Sequence, residues 1–82
     1  MIELMLQAEQ ALETGRLDQA EKIYWQVVEL DARNAIAVVG LARVAIERGD
    51  EHTAREFTRR ALELDPENVS ALRLTSRLAR GQ

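Results

Sequence analysis

Few residues of this chain could do chemistry. His52 is the only histidine, and histidine is the side chain whose ordinary pKa lies closest to neutral pH. Acid–base or metal chemistry would require a nucleophile or a set of further ligands around it. His52 instead precedes Thr53 at a predicted helix start, which favours a solvated or capping side chain.

Paired carboxylates are the other arrangement that could support hydrolysis or proton transfer. Acidic residues lie close together at two places: Asp18 with Glu21, and Glu47 with Asp50 and Glu51. Both groups fall at predicted helix starts and turns, where the helix dipole stabilises carboxylates. The chain has no cysteine for a thiolate metal site, and its four glycines stand too far apart to form a phosphate-binding loop. We therefore predict no enzymatic activity, no cofactor and no metal site.

Composition and charge argue against several other classes of protein. Apolar residues make up 46% of the chain and aromatic ones 4%, so Ala, Leu, Val and Ile must build the core, a mixture that favours helices. The formal charge of −3 argues against nucleic-acid binding, which needs a basic surface. Because no run of about twenty apolar residues occurs, we expect no membrane span. We expect a soluble, cytoplasmic protein with one domain.

The sequence repeats itself, because residues 35–68 follow the pattern of residues 1–34. When these two segments are aligned, ten positions hold identical residues. The first members of these pairs are Ile2, Ala8, Ala11, Glu13, Gly15, Ala20, Glu29, Leu30, Asp31 and Asn34. We call the distance along the sequence from one unit to the same position in the next, as from residue 1 to residue 35, the repeat period. A fixed period of this size is typical of solenoids, in which each unit buries its apolar face against its neighbours.

Apolar residues recur within each unit at helical spacing and predict two helices a unit. The predicted helices cover residues 2–14, 18–31, 35–48, 52–64 and 69–80. Gly15 and Gly49 stand between the helices of a pair, where a chain commonly adopts the left-handed conformation that glycine tolerates best. Capping-box spacing predicts that Asp18 and Thr53 cap the second helix of each pair.

Other residues mark helix ends and the core. Asn34 and Asn68 each stand where they can cap the next helix, and Pro66 terminates the helix before it. Tyr24 lies on the apolar stripe and is predicted to pack in the core. Trp25 lies off that stripe, so it either packs between second helices or lies partly exposed on the convex side.

This pattern resembles the tetratricopeptide repeat family over the whole chain. The family's small residues are matched by Ala8, Ala20, Ala42, Ala54 and Ala61, its glycine between helices by Gly15 and Gly49, and its closing proline by Pro66. The chain departs from the family's preferred Trp at Leu4 and Val38, from Tyr at Ala11 and Ala45, from an aromatic at Thr58, and from Pro at Ala32. The resemblance implies an all-α, right-handed solenoid of antiparallel helix pairs. Its single domain would comprise repeat 1 at 1–34, repeat 2 at 35–68, and a capping helix at 69–82 with Thr75 and Ser76 facing water.

The resemblance also implies a concave groove, lined by the first helix of each repeat, that binds a partner protein or peptide. The candidate partner-binding residues are Met5, Glu9, Leu12, Ile36, Val39, Arg43, Ile46, Arg73 and Arg77. The third helix is apolar on most of its circumference, which predicts either an exposed contact surface around Val39 or a tightly curved fold that buries these residues. Arg43, Arg73 and Arg77 either bind an acidic or carboxylate-bearing segment or form a solvated charged face.

Homo-oligomerisation, joining identical chains or attached domains, is the alternative function. Charge is distributed unevenly: the first helix carries Glu3, Glu9 and Glu13, and the last carries Arg73, Arg77 and Arg80. Such helices could meet head to tail or in a two-fold pair. The apolar residues Ile2, Met5 and Leu6 begin the chain and could be covered by a second copy. No nucleic-acid or membrane partner is expected.

Overall fold

Five helices form the fold of residues 1–81, which are the residues that the computed structural model describes. The helices are α1 (Ile2–Glu13), α2 (Leu17–Leu30), α3 (Ala35–Glu47), α4 (Glu51–Leu64) and α5 (Val69–Ala79). α1 packs on α2 and α3 on α4 as hairpins, and further contacts of α2 with α3 and of α4 with α5 join successive hairpins. No strand occurs in this part of the chain, so the all-α prediction is confirmed. Every predicted helix end lies within one residue of the observed end, while Gln82, the last residue of the predicted capping segment, lies outside the described residues.

Glycine ends the first helix of each hairpin, as predicted. Gly15 and Gly49 adopt the left-handed conformation, with φ of 77° and 79°. After the first turn, the N–H of Arg16 donates to the carbonyl of Ala11 at 2.8 Å, and the equivalent bond of the second turn measures 2.9 Å. These bonds satisfy carbonyls that a helix end otherwise leaves unpaired. The glycine spacing therefore fixes two tight turns.

Asparagine side chains cap α3 and α5, as the sequence predicts. The Asn34 Oδ1 accepts a hydrogen bond from the N–H of Ala37 at 3.0 Å, and the Asn68 Oδ1 accepts one from Ala71 at 2.9 Å. A cap of this kind typically stabilises a helix by about 1 kcal/mol. The two caps thus begin each new repeat at a defined residue.

The predicted caps of α2 and α4 are wrong. α2 begins directly after Arg16, whose side chain makes no capping bond. α4 is capped by Asp50, whose Oδ1 accepts from the N–H of Thr53 at 3.2 Å. Because the residue that follows each glycine already serves as the N-cap, Asp18 and Thr53 lie inside the first helical turn. Asp18 is left to form an ion pair with Arg48 instead.

Small side chains let the helices approach closely. The fully buried alanines include Ala8, Ala20, Ala42, Ala54 and Ala61. Tyr24 is also buried, which confirms its predicted place in the core. Its ring lies directly against Gly40 of α3, where a Cβ would come within 2.5 Å of the Tyr24 Cδ1 and closer still to its Cε1 and Cζ. The contact between successive hairpins therefore requires glycine at this position.

Two polar residues of α5, Thr75 and Ser76, stand where a further helix would pack. Thr75 and Ser76 are exposed, as expected of a solvating cap. Their counterparts one period earlier, Leu41 and Ala42, are buried under α4 and its neighbours. Trp25 is partly exposed and also packs between second helices, as the two predictions for it proposed. Its ring meets that of Phe57 of α4 edge-on, with ring centroids 5.9 Å apart.

Candidate partner-binding groove

Two adjoining hollows mark the side of the molecule formed by α1, α3 and α5. The apolar hollow, of about 310 Å³, is lined by Met1, Ile2, Met5, Leu6, Glu9, Asn34 and Ile36. The charged hollow, of about 300 Å³, is lined by Leu12, Glu13, Arg43, Ile46, Glu47, Leu74 and Arg77. Seven of the nine predicted groove residues line one or other of these hollows. Two predicted residues, Val39 and Arg73, do not.

The apolar hollow contains side chains that the fold leaves uncovered. Ile2 is 78% exposed and Ile36 is 59% exposed. Both are the second residue of a repeat, since they are separated by one repeat period. The Asn34 cap starts α3 at a defined register and so places Ile36 on the same side as Ile2. Exposed aliphatic side chains gathered in one hollow are the usual mark of a contact surface.

The charged hollow is mixed in sign rather than basic. Arg43 and Arg77 contribute two positive charges, and Glu13 and Glu47 contribute two negative ones. Arg73 is exposed on α5 but lines neither hollow. The predicted basic trio is therefore reduced to Arg43 and Arg77, each with a carboxylate in the same hollow. Such a surface offers both donors and acceptors to a polar segment.

The prediction of an exposed surface around Val39 is wrong. Val39 is only 3% exposed, and it belongs to the main core cluster. Nine of the thirteen residues of α3 are buried, because this helix lies between two hairpins and contacts α1, α2 and α4. The second interpretation of the apolar third helix, a tightly curved fold that buries it, is right at this position. Ile36 is the large apolar residue of α3 that remains exposed.

A buried hydroxyl lies near the charged hollow. The Tyr24 Oη is buried and has no hydrogen-bond partner within residues 1–81. Burial raises the pKa of Tyr24, Arg43 lowers it, and Glu9 and Glu13 raise it further. The three charged residues themselves line the groove, Arg43 and Glu13 in the charged hollow and Glu9 in the apolar one. The sequence identified Tyr24 as a core residue but gave no indication that its polar end lacks a partner.

Arg48 forms an ion-pair cluster that the sequence did not indicate. Its guanidinium donates to the Glu21 Oε1 at 2.7 Å and also to the carboxylate of Asp18. The bond to Glu21, and then that to Asp18, raises the pKa of Arg48 above its already high ordinary value. Solvated pairs contribute little to stability, but this one ties the end of α3 to the start of α2. It accounts for the two acids that we considered as a catalytic pair.

The other side chains considered for chemistry are dispersed. His52 is exposed, and its Nε2 lies 3.8 Å from the Glu56 Oε2 on the same helix. Among residues 1–81, no three His, Cys, Asp or Glu side chains gather in an arrangement that could hold a metal ion. Over the same residues, none of the helices combines the length and apolar character needed to cross a membrane.

Comparison with known families agrees with this architecture. A family model described as tetratricopeptide repeat matches residues 11–78, which is most of the chain. No curated protein matches the sequence significantly. Domains of this family are typically non-catalytic scaffolds and generally mediate protein–protein interaction. The repeat period, the glycine turns, the helix pairs and the family match together show that the chain belongs to the tetratricopeptide repeat family.

Proposed function

We propose that this chain is a non-catalytic interaction module that binds a peptide segment of a partner protein in the groove formed by α1, α3 and α5. One observation carries the proposal: an apolar hollow and a mixed-charge hollow adjoin on the same side of the molecule. The first would take an aliphatic or aromatic side chain of the ligand. The second would bind polar groups that follow it along the peptide.

The exposed residues of the apolar hollow supply the affinity in this proposal. Covering a side chain such as Ile2 or Ile36 contributes up to about 1.5–3 kcal/mol, and less where the residue is already partly covered. Arg43 and Arg77 can donate to a carboxylate, while Glu13 and Glu47 can accept from backbone N–H groups. Because ordering a flexible peptide opposes binding, we expect dissociation constants of about 1–100 µM.

Selection of peptides from a displayed random library, followed by titration of the selected peptides, tests the proposal. Ile36→Glu and Arg77→Glu should each weaken binding by about tenfold or more, because each removes a contact of roughly 1.4 kcal/mol or greater. Both residues are exposed, so helicity and melting temperature should change little.

Matched controls separate the groove from the rest of the surface. Leu30→Glu introduces the same charge at an apolar residue that is 67% exposed and lines neither hollow. Arg60→Glu reverses a charge on α4, outside the groove. These two variants should bind the selected peptides as the unmodified chain does. Equal loss of binding in the groove variants and the controls would refute the assignment, as would full binding by all four.

A further inference from the structure

A third hollow lies away from the groove, between α4 and α5. It measures about 500 Å³ and is the most apolar of the hollows described. The buried Thr58 and Leu78 lie at its base, and its exposed rim carries three charged residues, Arg55, Arg59 and Glu63. The remaining lining residues are Leu62, Thr75 and Ala79. Arg55 is held at the rim by a 2.7 Å hydrogen bond that it donates to the carbonyl of Leu78. We call this site the end hollow.

The repeat period shows what shape of ligand the end hollow fits. A shift by one repeat period carries α4 and α5 onto α2 and α3, and there the corresponding place is occupied by a helix, α4. Trp25 of α2 has the same repeat position as Arg59, and its edge-on contact with Phe57 of α4 belongs to that packing. The end hollow is therefore a place for a helix.

The walls of the end hollow also show what side chains that helix needs. Thr58 stands where the previous repeat has Tyr24, and Thr75 stands where it has Leu41. Two other lining residues, Leu62 and Leu78, are larger than the valines at their places in the previous repeat, so the lining stays mostly apolar. A helix that enters the end hollow must therefore present aliphatic side chains.

Two helices leave a pair of aliphatic side chains exposed about one turn apart: α5, at Val69 and Leu72, and α1. On α1, Ile2 and Leu6 lie one helical turn apart and are 78% and 61% exposed. Leu6 occupies the repeat position of Gly40, which is the position that a preceding helix would cover. The same helix carries three acidic residues and no basic one.

Charge decides between the possible pairings of two copies. α5 with its C-cap Arg80 carries three arginines and no acid, and the end hollow is lined by Arg55 and Arg59 against a single acid, Glu63. Pairing two end hollows would bring these arginines together, and pairing two α1 helices would bring acids together. Placing α1 against the end hollow brings opposite charges together. We infer that the end hollow receives α1 of a second copy of this chain, so that chains join head to tail.

This arrangement is heterologous, since each copy offers α1 at one end and the end hollow at the other. It shares Ile2 and Leu6 with the apolar hollow but does not use Ile36, so Ile36→Glu should weaken peptide binding and leave this association unchanged. Because one helix face is a small interface, the dissociation constant should lie between about 10 µM and about 1 mM. The charged rim should make association weaker as salt concentration rises.

Sedimentation equilibrium of the chain over that concentration range tests the inference. The average mass should rise with concentration beyond that of a dimer, because a head-to-tail contact does not stop at two copies. Leu6→Glu removes the α1 contact, and Arg59→Glu with Ala79→Glu removes the end-hollow contact. Each of these two proteins alone should remain a monomer. Mixed in equal amounts, they should form a complex of one chain of each and nothing larger, since only one intact contact remains between them.

Controls make every outcome informative. Leu30→Glu should associate as the unmodified chain does, because Leu30 is equally exposed and lies outside both contact faces. If the double substitution impairs folding, Thr75→Arg at another exposed position of the end hollow replaces it. A chain that stays monomeric throughout would overturn the inference. So would association that survives in either variant alone, which would place the interface elsewhere, or a mixture that fails to associate.

Discussion

The contact between Gly40 and Tyr24 is the point at which the packing of successive hairpins is most open to test. In Gly40→Ala, the new methyl group would stand within 2.5 Å of the Tyr24 Cδ1, whereas ordinary contacts begin near 3.4 Å. The ring or the α3 backbone must therefore move by roughly 1 Å, in a core packed as densely as a crystal. The ring has little freedom to do so, because Tyr24 is fully buried between α1, α2 and α3.

Two effects of opposite sign decide how Gly40→Ala changes the free energy of unfolding. Alanine in a helix interior is favoured over glycine by about 1 kcal/mol. Overpacking of a dense core costs typically about 1–3 kcal/mol, and this overlap involves the edge of a rigid ring. We expect the strain to win, with a net loss of about 1–2 kcal/mol from a total stability of about 4–12 kcal/mol for a domain of this size. The melting temperature should fall by roughly 4–16 °C.

Urea unfolding followed by circular dichroism, together with a double-mutant cycle, measures this effect. Tyr24→Val removes the Cδ1, Cε1 and Cζ atoms that a methyl group at residue 40 would meet. In that background Gly40→Ala should be neutral or stabilising, because the helix preference of alanine remains while the overlap is relieved. A stabilising osmolyte can keep all four proteins folded for the comparison. A rise in stability for Gly40→Ala alone, or the same loss in both backgrounds, would refute the packing argument.

Two further predictions concern ionisable groups. Tyr24→Phe should raise the free energy of unfolding by about 1 kcal/mol, since the hydroxyl it removes is buried without a partner in residues 1–81; a lower stability would show that the hydroxyl is bonded. Burial raises the pKa of Tyr24 above 10.0, so the share of the free energy of unfolding that depends on its protonation is fully present below that pH. This share is lost as pH rises through the folded pKa, and Tyr24→Phe should not show that loss. Hydrogen bonds from the Thr53 hydroxyl and N–H lower the pKa of Asp50. The ionised Asp50 therefore adds to the free energy of unfolding above pH 3.8, and this stabilisation is lost as pH falls through the folded pKa. Asp50→Asn keeps an acceptor at the cap and should therefore show a shallower loss of melting temperature on acidification, whereas an identical acid profile would exclude Asp50 as a source of it.

The lining of the candidate groove was predictable in outline because its residues repeat with the helices that carry them. Ile36 and Arg43 follow from the position of α3 in the repeat, and Met5 and Glu9 from that of α1. Arg73 has the same repeat position as Val39, and both lie outside the two hollows. Val39 is buried and Arg73 is exposed, because α3 lies between two hairpins whereas α5 has no following hairpin within residues 1–81.

By itself the sequence determined the helices, the turns between them and the composition of the core. These features rest on interactions that span a few residues: the left-handed glycines at 15 and 49, the asparagine caps at 34 and 68, and the helical spacing of small apolar residues. The repeat period then requires successive hairpins to stack in the same way.

Only the tertiary structure decided which of the apolar and polar side chains are covered. Val39 is buried, the Tyr24 hydroxyl has no hydrogen-bond partner among residues 1–81, and Arg48 reaches Asp18 across 30 residues of sequence. None of these follows from local spacing, because each depends on how closely helices from different repeats approach and at what angle. That approach is set by side-chain volumes on both sides of an interface, as the ring of Tyr24 against Gly40 illustrates. The hollows are the space that this packing leaves unfilled, so their positions too depend on the assembled fold.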